Sequence, residues 1–253
     1  MFTVNTLANA LPLNGVNTGQ LSDEIPNLFV PAGLTFSIWG LIYLLLAAHA
    51  VALVREAWKP SSPVAWDRAD AWLFILNMAA NVAWVFAWQW RLVPLAMAIM
   101  LVLLGTLIAQ EQRSQAKLGM GGSLEGASRA RRFFLTAPLR VYLGWISVAT
   151  IANATALLVK LGWNGFGLDP RVWTVIAIAA GTAVALGFSL WKREIAAPLV
   201  VVWAYLGIVI KRTAVDADYS AAVWISAAIA AVLVLASAIY AAIGASRRGK
   251  SRA

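Results

Sequence analysis

An all-α membrane protein, a transmembrane helix bundle of about seven spans, is the fold class that this chain predicts. Three observations carry the prediction. Of 253 residues, 61% are hydrophobic and only 12% charged, where a soluble domain carries roughly 25% charged residues. Too little polar surface remains to coat a water-soluble globule. Apolar stretches close to the ~20 residues needed to cross a bilayer follow one another along the chain. The basic residues fall in short clusters between those stretches, where membrane proteins keep their topological signals. Lipid admits only helices or closed barrels, because unpaired backbone groups are too costly there, and no period-2 alternation supports a barrel.

Taken in order, Met1 to Val16 contain no Lys or Arg. They therefore lack the basic n-region of a secretory signal peptide, and their apolar content is too short to span. Spans are expected at Pro31–Val54, Asp70–Trp90, Leu92–Gln110, Phe133–Val159, Arg171–Trp191, Ile195–Ile210 and Ser220–Gly244. The sixth is short and holds Pro198 near its start, where a helix's first turn tolerates proline. The longest loop, Glu111–Arg132, contains Gly119, Gly121, Gly122 and Gly126. These read as linker, since a phosphate cradle needs a preceding strand and a following helix. In the fifth span Ala179, Ala183 and Gly187 form one row of small residues, and Gly181 with Ala185 a second. Such rows predict a packing face for neighbouring helices.

Threading the chain through these crossings puts fourteen Lys and Arg residues on one side. They are Arg55, Lys59, Arg68, Arg113, Lys117, Arg129, Arg131, Arg132, Lys192, Arg193 and the four basic residues of the tail. The other side receives five, Arg91, Lys160, Arg171, Lys211 and Arg212. The richer side is expected to be cytoplasmic, with the N-terminus outside and the C-terminus inside a bacterial-type plasma membrane. Arg140 alone sits well inside a span, and it can snorkel to the inner surface. The net charge of +9 does not indicate a nucleic-acid partner, because the basic residues share no soluble face and no nucleic-acid fold signature accompanies them. Absence of cysteine excludes disulfides, thiolate catalysis and Cys-based metal sites. His49 alone cannot build a His-rich metal centre, so no metal is expected.

Thirteen tryptophans divide into two groups. Trp58, Trp66, Trp72, Trp90, Trp163, Trp173 and Trp191 lie near span ends, as interfacial belt residues do. The others fall on helix faces. In the second span Asn77, Asn81, Trp84 and Trp88 are spaced i, i+4, i+7 and i+11, which places them on one face. In the fourth, Tyr142, Trp145, Ala149 and Asn153 follow i, i+3, i+7 and i+11, and in the first Phe36, Trp39 and Tyr43 follow i, i+3 and i+7. At 1.5 Å per residue, Trp39, Asn81, Trp84 and Asn153 lie roughly 9–14 Å below the outer ends of their helices, and Trp203 of the sixth span at about that depth. Intramembrane polar groups face the bundle interior or a cavity. Spacing alone leaves two readings open, interhelical hydrogen-bonding glue or a ligand cavity.

The same residues carry a resemblance. Pro31-Ala-Gly-Leu-Thr-Phe-Ser-Ile-Trp39-Gly-Leu-Ile-Tyr43, Asn81-Val-Ala-Trp84 and Tyr142-x-x-Trp145-x-x-x-Ala149-Thr150-x-x-Asn153 stand in that order. The chain thereby resembles the TspO/MBR family, the tryptophan-rich sensory proteins related to the mitochondrial translocator protein, in a longer branch. The resemblance covers roughly residues 1–163, and residues 164–253 form a C-terminal extension of about three transmembrane helices. Family members have five helices, and Asn5 to Asn14 looks like only the tail of the first, either truncated or degenerate. Gly15 to Asn27 would correspond to the loop that closes over the family's pocket. Pro138 departs from the family pattern, standing three residues earlier relative to Trp145.

What the resemblance implies is a TspO-like bundle binding a flat hydrophobic ligand, a porphyrin or other tetrapyrrole or a sterol-like lipid, as sensor or carrier. Trp39, Tyr43, Asn77, Asn81, Trp84, Tyr142, Trp145, Ala149 and Asn153 would line the site. Rings would stack, amides would hold polar substituents, and Ala149 would keep one wall open. No cofactor is required; a porphyrin or haem-like molecule enters as ligand. Expected partners are that ligand and membrane lipids, with a homodimer as an open alternative. Two alternatives stand beside this reading: a small-molecule transporter using the added helices, and light-dependent porphyrin degradation. Against an enzyme, no carboxylate, cysteine or histidine is placed for acid–base or nucleophilic work at that depth. A retinal protein would need a Schiff-base lysine in the last span, and Ser220–Gly244 has none.

Overall fold

A computed structural model of the chain describes residue 1 and residues 13–58, 66–119, 124 and 126–250, without the side chains of 57 and 245–250. Most of the Asn5–Asn14 segment, and Lys59, Gly121, Gly122 and Arg252, lie outside the described residues. Among the described residues there are eight α-helices and no strand. They are α1 (Thr18–Asp23), α2 (Ile38–Ala57), α3 (Arg68–Gln89), α4 (Val93–Leu118), α5 (Arg129–Lys160), α6 (Pro170–Leu190), α7 (Ala196–Val215) and α8 (Ala221–Lys250). Seven are long and apolar enough to cross a membrane, the first together with the 3-10 turn that leads into it. The protein is an all-α integral membrane bundle, as its hydropathy predicts.

Local chemistry explains where the helices begin. Asp67 caps α3, its carboxylate accepting from the backbone N–H groups of Ala69 and Asp70 while Asp70 accepts from the N–H of Asp67. Reciprocal capping of this kind satisfies donors that the first turn leaves open. Pro94 stands in the first turn of α4 and Pro170 opens α6, where a missing N–H costs nothing. Asp169 caps α6, and bonds from the Arg171 side chain and backbone hold its carboxyl down at about 2. Glu194 is buried and accepts from the N–H groups of Ala196 and Ala197, starting α7 ahead of Pro198. Between α3 and α4 the chain turns in three residues, with Arg91 at φ 60°. That tight reversal makes α3 and α4 antiparallel neighbours.

The chain groups into two compact units. One is Met1–Asn17 with Ser37–Ile146, the other Thr18–Phe36 with Ser147–Ala253. In the first, Asn77 donates to the Leu103 carbonyl (3.2 Å) and to Thr106 Oγ1 (2.7 Å), tying α3 to α4. His49 is fully buried; its Nδ1–H donates to the Phe134 carbonyl at 2.8 Å and its ring packs on Trp66 and Phe74. Glu111, also buried, receives Arg140 at 3.1 Å. Arg140 is therefore ion-paired within the bundle instead of snorkelling alone. Buried Asp70 pairs with Arg113 and Lys117. These pairs carry α4 on to Leu118, so residues 111–118 are helical where the sequence predicts loop, and the loop closes again at Arg129.

In the second unit α8 packs on α6 and α7. The α6 stripe facing inward is Thr174, Ile178, Gly181, Ala185 and Ser189. Of the two small-residue rows, Gly181 and Ala185 pack, whereas Ala179 and Ala183 are exposed. A Cβ on Gly181 would come within 2.5 Å of Tyr205 Oη, which donates to the Ile178 carbonyl at 2.7 Å. Closer still is the approach at Gly207, whose carbonyl accepts from Ala32 N–H at 3.0 Å. A Cβ there would overlap Thr35 Oγ1 and stand 2.9 Å from the Pro31 Cβ. Gly207→Ala is expected to lower stability by about 1–3 kcal/mol, the range for overpacking. Denaturation in mixed micelles checks this, and a change under ~0.5 kcal/mol would contradict the close contact.

Candidate functional site

The first unit gathers six of the aromatic residues that the helix-face spacing singles out, whereas Phe36 falls in the second. Trp39, on the first turn of α2, stands at the centre, with ring centroids at 5.6 Å from Tyr43, 6.3 Å from Trp84, 5.9 Å from Tyr142 and 6.1 Å from Trp145. Tyr43 and Trp39 stack at an interplanar angle of 23°, whereas Tyr142 and Trp145 meet Trp39 edge-on at 63° and 80°. Trp84 extends the array to Trp88, stacked 5.7 Å away. Offset stacks and edge-to-face pairs are the arrangements that the aromatic quadrupole favours. All six rings are buried. Three helices supply them because α2 repeats its rings at i and i+4, α3 at i and i+4, and α5 at i and i+3.

Of the two α3 asparagines, Asn81 belongs to this array and Asn77 does not. Asn81 Nδ2 donates to Tyr142 Oη at 2.7 Å, and both residues are fully buried. Asn77 turns its amide to α4, where Thr106 and the Leu103 carbonyl take it up. Ala149 and Asn153, further along α5, fall in the second unit, where the Asn153 amide donates to the Ala149 carbonyl at 2.9 Å. Trp203 is likewise in the second unit and donates to the Thr35 carbonyl at 3.0 Å. Among the described residues no group of three or more His, Cys, Asp and Glu side chains is placed to hold a metal ion. The array can offer π faces, indole N–H and phenol groups and one amide, which suits a flat apolar molecule with few polar substituents.

Of the seven tryptophans placed at span ends, four stand exposed there: Trp58, Trp72, Trp90 and Trp191. The other three pack inward. Trp66 meets His49 at 4.8 Å and Phe74 at 5.5 Å, and Trp163 meets Trp173 at 4.8 Å. Sequence reasoning also misses the buried acids Asp70, Glu111 and Glu194. The first two share no motif and lie on different helices, and the cations of each lie on another helix than its own; Glu194 had a local signal, an acid shortly before a first-turn proline.

No curated protein and no solved structure gives a significant match to the chain. A family model described as TSPO-like protein matches residues 1–240, running well past the motifs and through most of the stretch 164–253. With that match over nearly the whole chain, and seven apolar helices of membrane-crossing length, this integral membrane protein belongs to the TSPO-like protein family.

Proposed function

We propose that the protein binds a flat hydrophobic ligand, a tetrapyrrole or a sterol-like lipid, at the aromatic array around Trp39, and acts as a sensor or carrier of it. The observation that supports this is the convergence of four rings on Trp39 with Asn81 beside them. Because the rings pack against one another, the ligand enters by exchanging ring–ring for ring–ligand contacts. Asn81 and Tyr142 then meet its polar substituents. The role is assigned to residues within 1–163, with 164–253 as a C-terminal extension of about three transmembrane helices. The Lys and Arg bias supports a cytoplasmic C-terminus in a bacterial-type plasma membrane.

Protoporphyrin IX is expected to quench tryptophan fluorescence saturably in the purified protein. Trp84→Ala combined with Trp145→Ala removes two stacking partners worth about 0.5–1.5 kcal/mol each. Affinity should fall roughly tenfold to a hundredfold. An unchanged titration in the double variant would refute the assignment.

A further inference from the structure

A separate cavity of about 690 Å³ lies within the second unit, made of residues none of which belongs to the aromatic array. It is found where α5 ends, α6 begins and α7 ends, and Ser22 to Val30 complete its wall. Leu28, Val30, Leu158, Val159, Leu168 and Val215 make most of its lining apolar. Trp163 and Trp173 form one side with ring centroids 4.8 Å apart. The Trp173 Nε1–H is already donated to the Gly165 carbonyl at 2.8 Å, so this indole offers the cavity ring surface alone. The volume falls in the range of small-molecule pockets, about 300–1,000 Å³.

The polar part of the wall holds two ion pairs whose cations are the more buried partners. Lys211 pairs with Asp23, and Arg212 Nη1 donates to Asp216 Oδ2 at 3.0 Å. The two cations are deeper than their counterions: side-chain exposure is 16% for Lys211 and 7% for Arg212, against 52% for Asp23 and 23% for Asp216. Arg212 Nε is buried and has no hydrogen-bond acceptor. A buried guanidinium donor left open costs more than a neutral one, because the group carries full charge. Three further polar groups of the lining are engaged within the protein. Asn27 Oδ1 accepts from Phe29 N–H, Thr174 donates to the Pro170 carbonyl, and Thr155 donates to the Ala152 carbonyl.

We propose that this cavity binds a single-chain amphiphile with an anionic head, of the fatty-acid type. Its carboxylate is taken up by the Arg212 guanidinium, whose Nε–H lacks an acceptor, near Lys211, and its chain lies along the aliphatic wall and the Trp163 and Trp173 faces. An anion is favoured over a neutral head because charge-assisted bonds to guanidinium are about twice as strong as neutral ones. Asp23 and Asp216 line the same cavity but are each engaged in an ion pair, so the donor left for an anionic head is on Arg212. A single acyl chain suits a lining that is mostly apolar with few polar groups left open. This site does not rest on the reading of the aromatic array, and either can fail without the other.

The test is photolabelling of the intact protein in micelles with a C16 fatty acid carrying a mid-chain diazirine, followed by peptide mapping. Labelled peptides are expected to cover Leu28, Leu158 to Trp173 and Val215, and excess unlabelled C16 acid should suppress them. The matching diazirine alcohol should label these peptides roughly tenfold less or weaker still, the loss expected for a charge-assisted bond. Arg212→Gln should cause a similar loss, and Lys211→Gln a smaller one. Label spread over lipid-facing spans without competition, or equal labelling by acid and alcohol, would overturn the proposal. So would full labelling of Arg212→Gln. The comparison of acid with alcohol needs no variant, so it decides the matter even if Arg212→Gln fails to fold.

Discussion

Glu111→Leu is expected to destabilise the protein by about 3 kcal/mol, the low end for removing one partner of a buried ion pair. Glu111 is 5% exposed and receives Arg140 at 3.1 Å on both carboxylate oxygens, with Gln115 Nε2 donating to it at 2.7 Å. Leucine would fill the volume but leave the guanidinium without its counterion inside α5. Were Arg140 able to reach water by snorkelling along its own stem, the loss would fall below ~1 kcal/mol. The magnitude therefore decides between the paired and the snorkelling arginine. A second variant sharpens the test. Glu111→Leu with Arg140→Met removes both charges, and replacing a buried pair by apolar groups is often neutral or stabilising. Unfolding in mixed micelles should show the double variant recovering most of the stability. A double variant no better than the single would refute the pairing.

Trp39→Ala is expected to cost about 3–5 kcal/mol, the range for emptying a buried aromatic site. Lipid tails are as apolar as any side chain, so the gain from burying Trp39 is packing rather than escape from water. Four rings converge on it, and each loses its neighbour at once. Trp39→Phe keeps a ring at the centre and should lose less than half as much. Measured in the same micelle assay, a loss under ~1 kcal/mol for Trp39→Ala would mean that the array is loose and that its rings do not depend on one another.

Much of this architecture is legible in the sequence because hydropathy is a local property. The spans predicted at Asp70–Trp90 and Arg171–Trp191 lie within two residues of α3 and α6 at each end. The short sixth span with Pro198 does form a helix, started by Glu194. The third span illustrates the opposite case. Its helix runs on through polar residues to Leu118, because Arg113 and Lys117 reach back to Asp70 on α3. No hydropathy window records an ion pair between helices. The small-residue rows of α6 have the same limitation. Both look alike in sequence, but only the Gly181 and Ala185 row faces Tyr205 and packs.

The aromatic array was half legible. Helical spacing places Trp39 with Tyr43, Asn81 with Trp84, and Tyr142 with Trp145 on shared faces. It cannot say which neighbour an amide meets. Asn77 and Asn81 are one turn apart on the same face, and Thr106 on α4 draws off the first while Tyr142 on α5 takes the second. The cavity holding Arg212 was not legible at all. Arg212 reads in sequence as one more basic residue at a span end.

By itself, the sequence determined the solvent, the helical class, the positions of seven spans and the faces on which the rings lie. These follow from composition and from a 3.6-residue period, which need no knowledge of what stands opposite. Only the tertiary structure decided which polar groups are used up and which stay open. Arg140 is matched by Glu111, Asn77 by Thr106, and Arg212 Nε by no acceptor. Hydrogen bonds and ion pairs join residues far apart in the chain, so their partners exist only once the helices have packed.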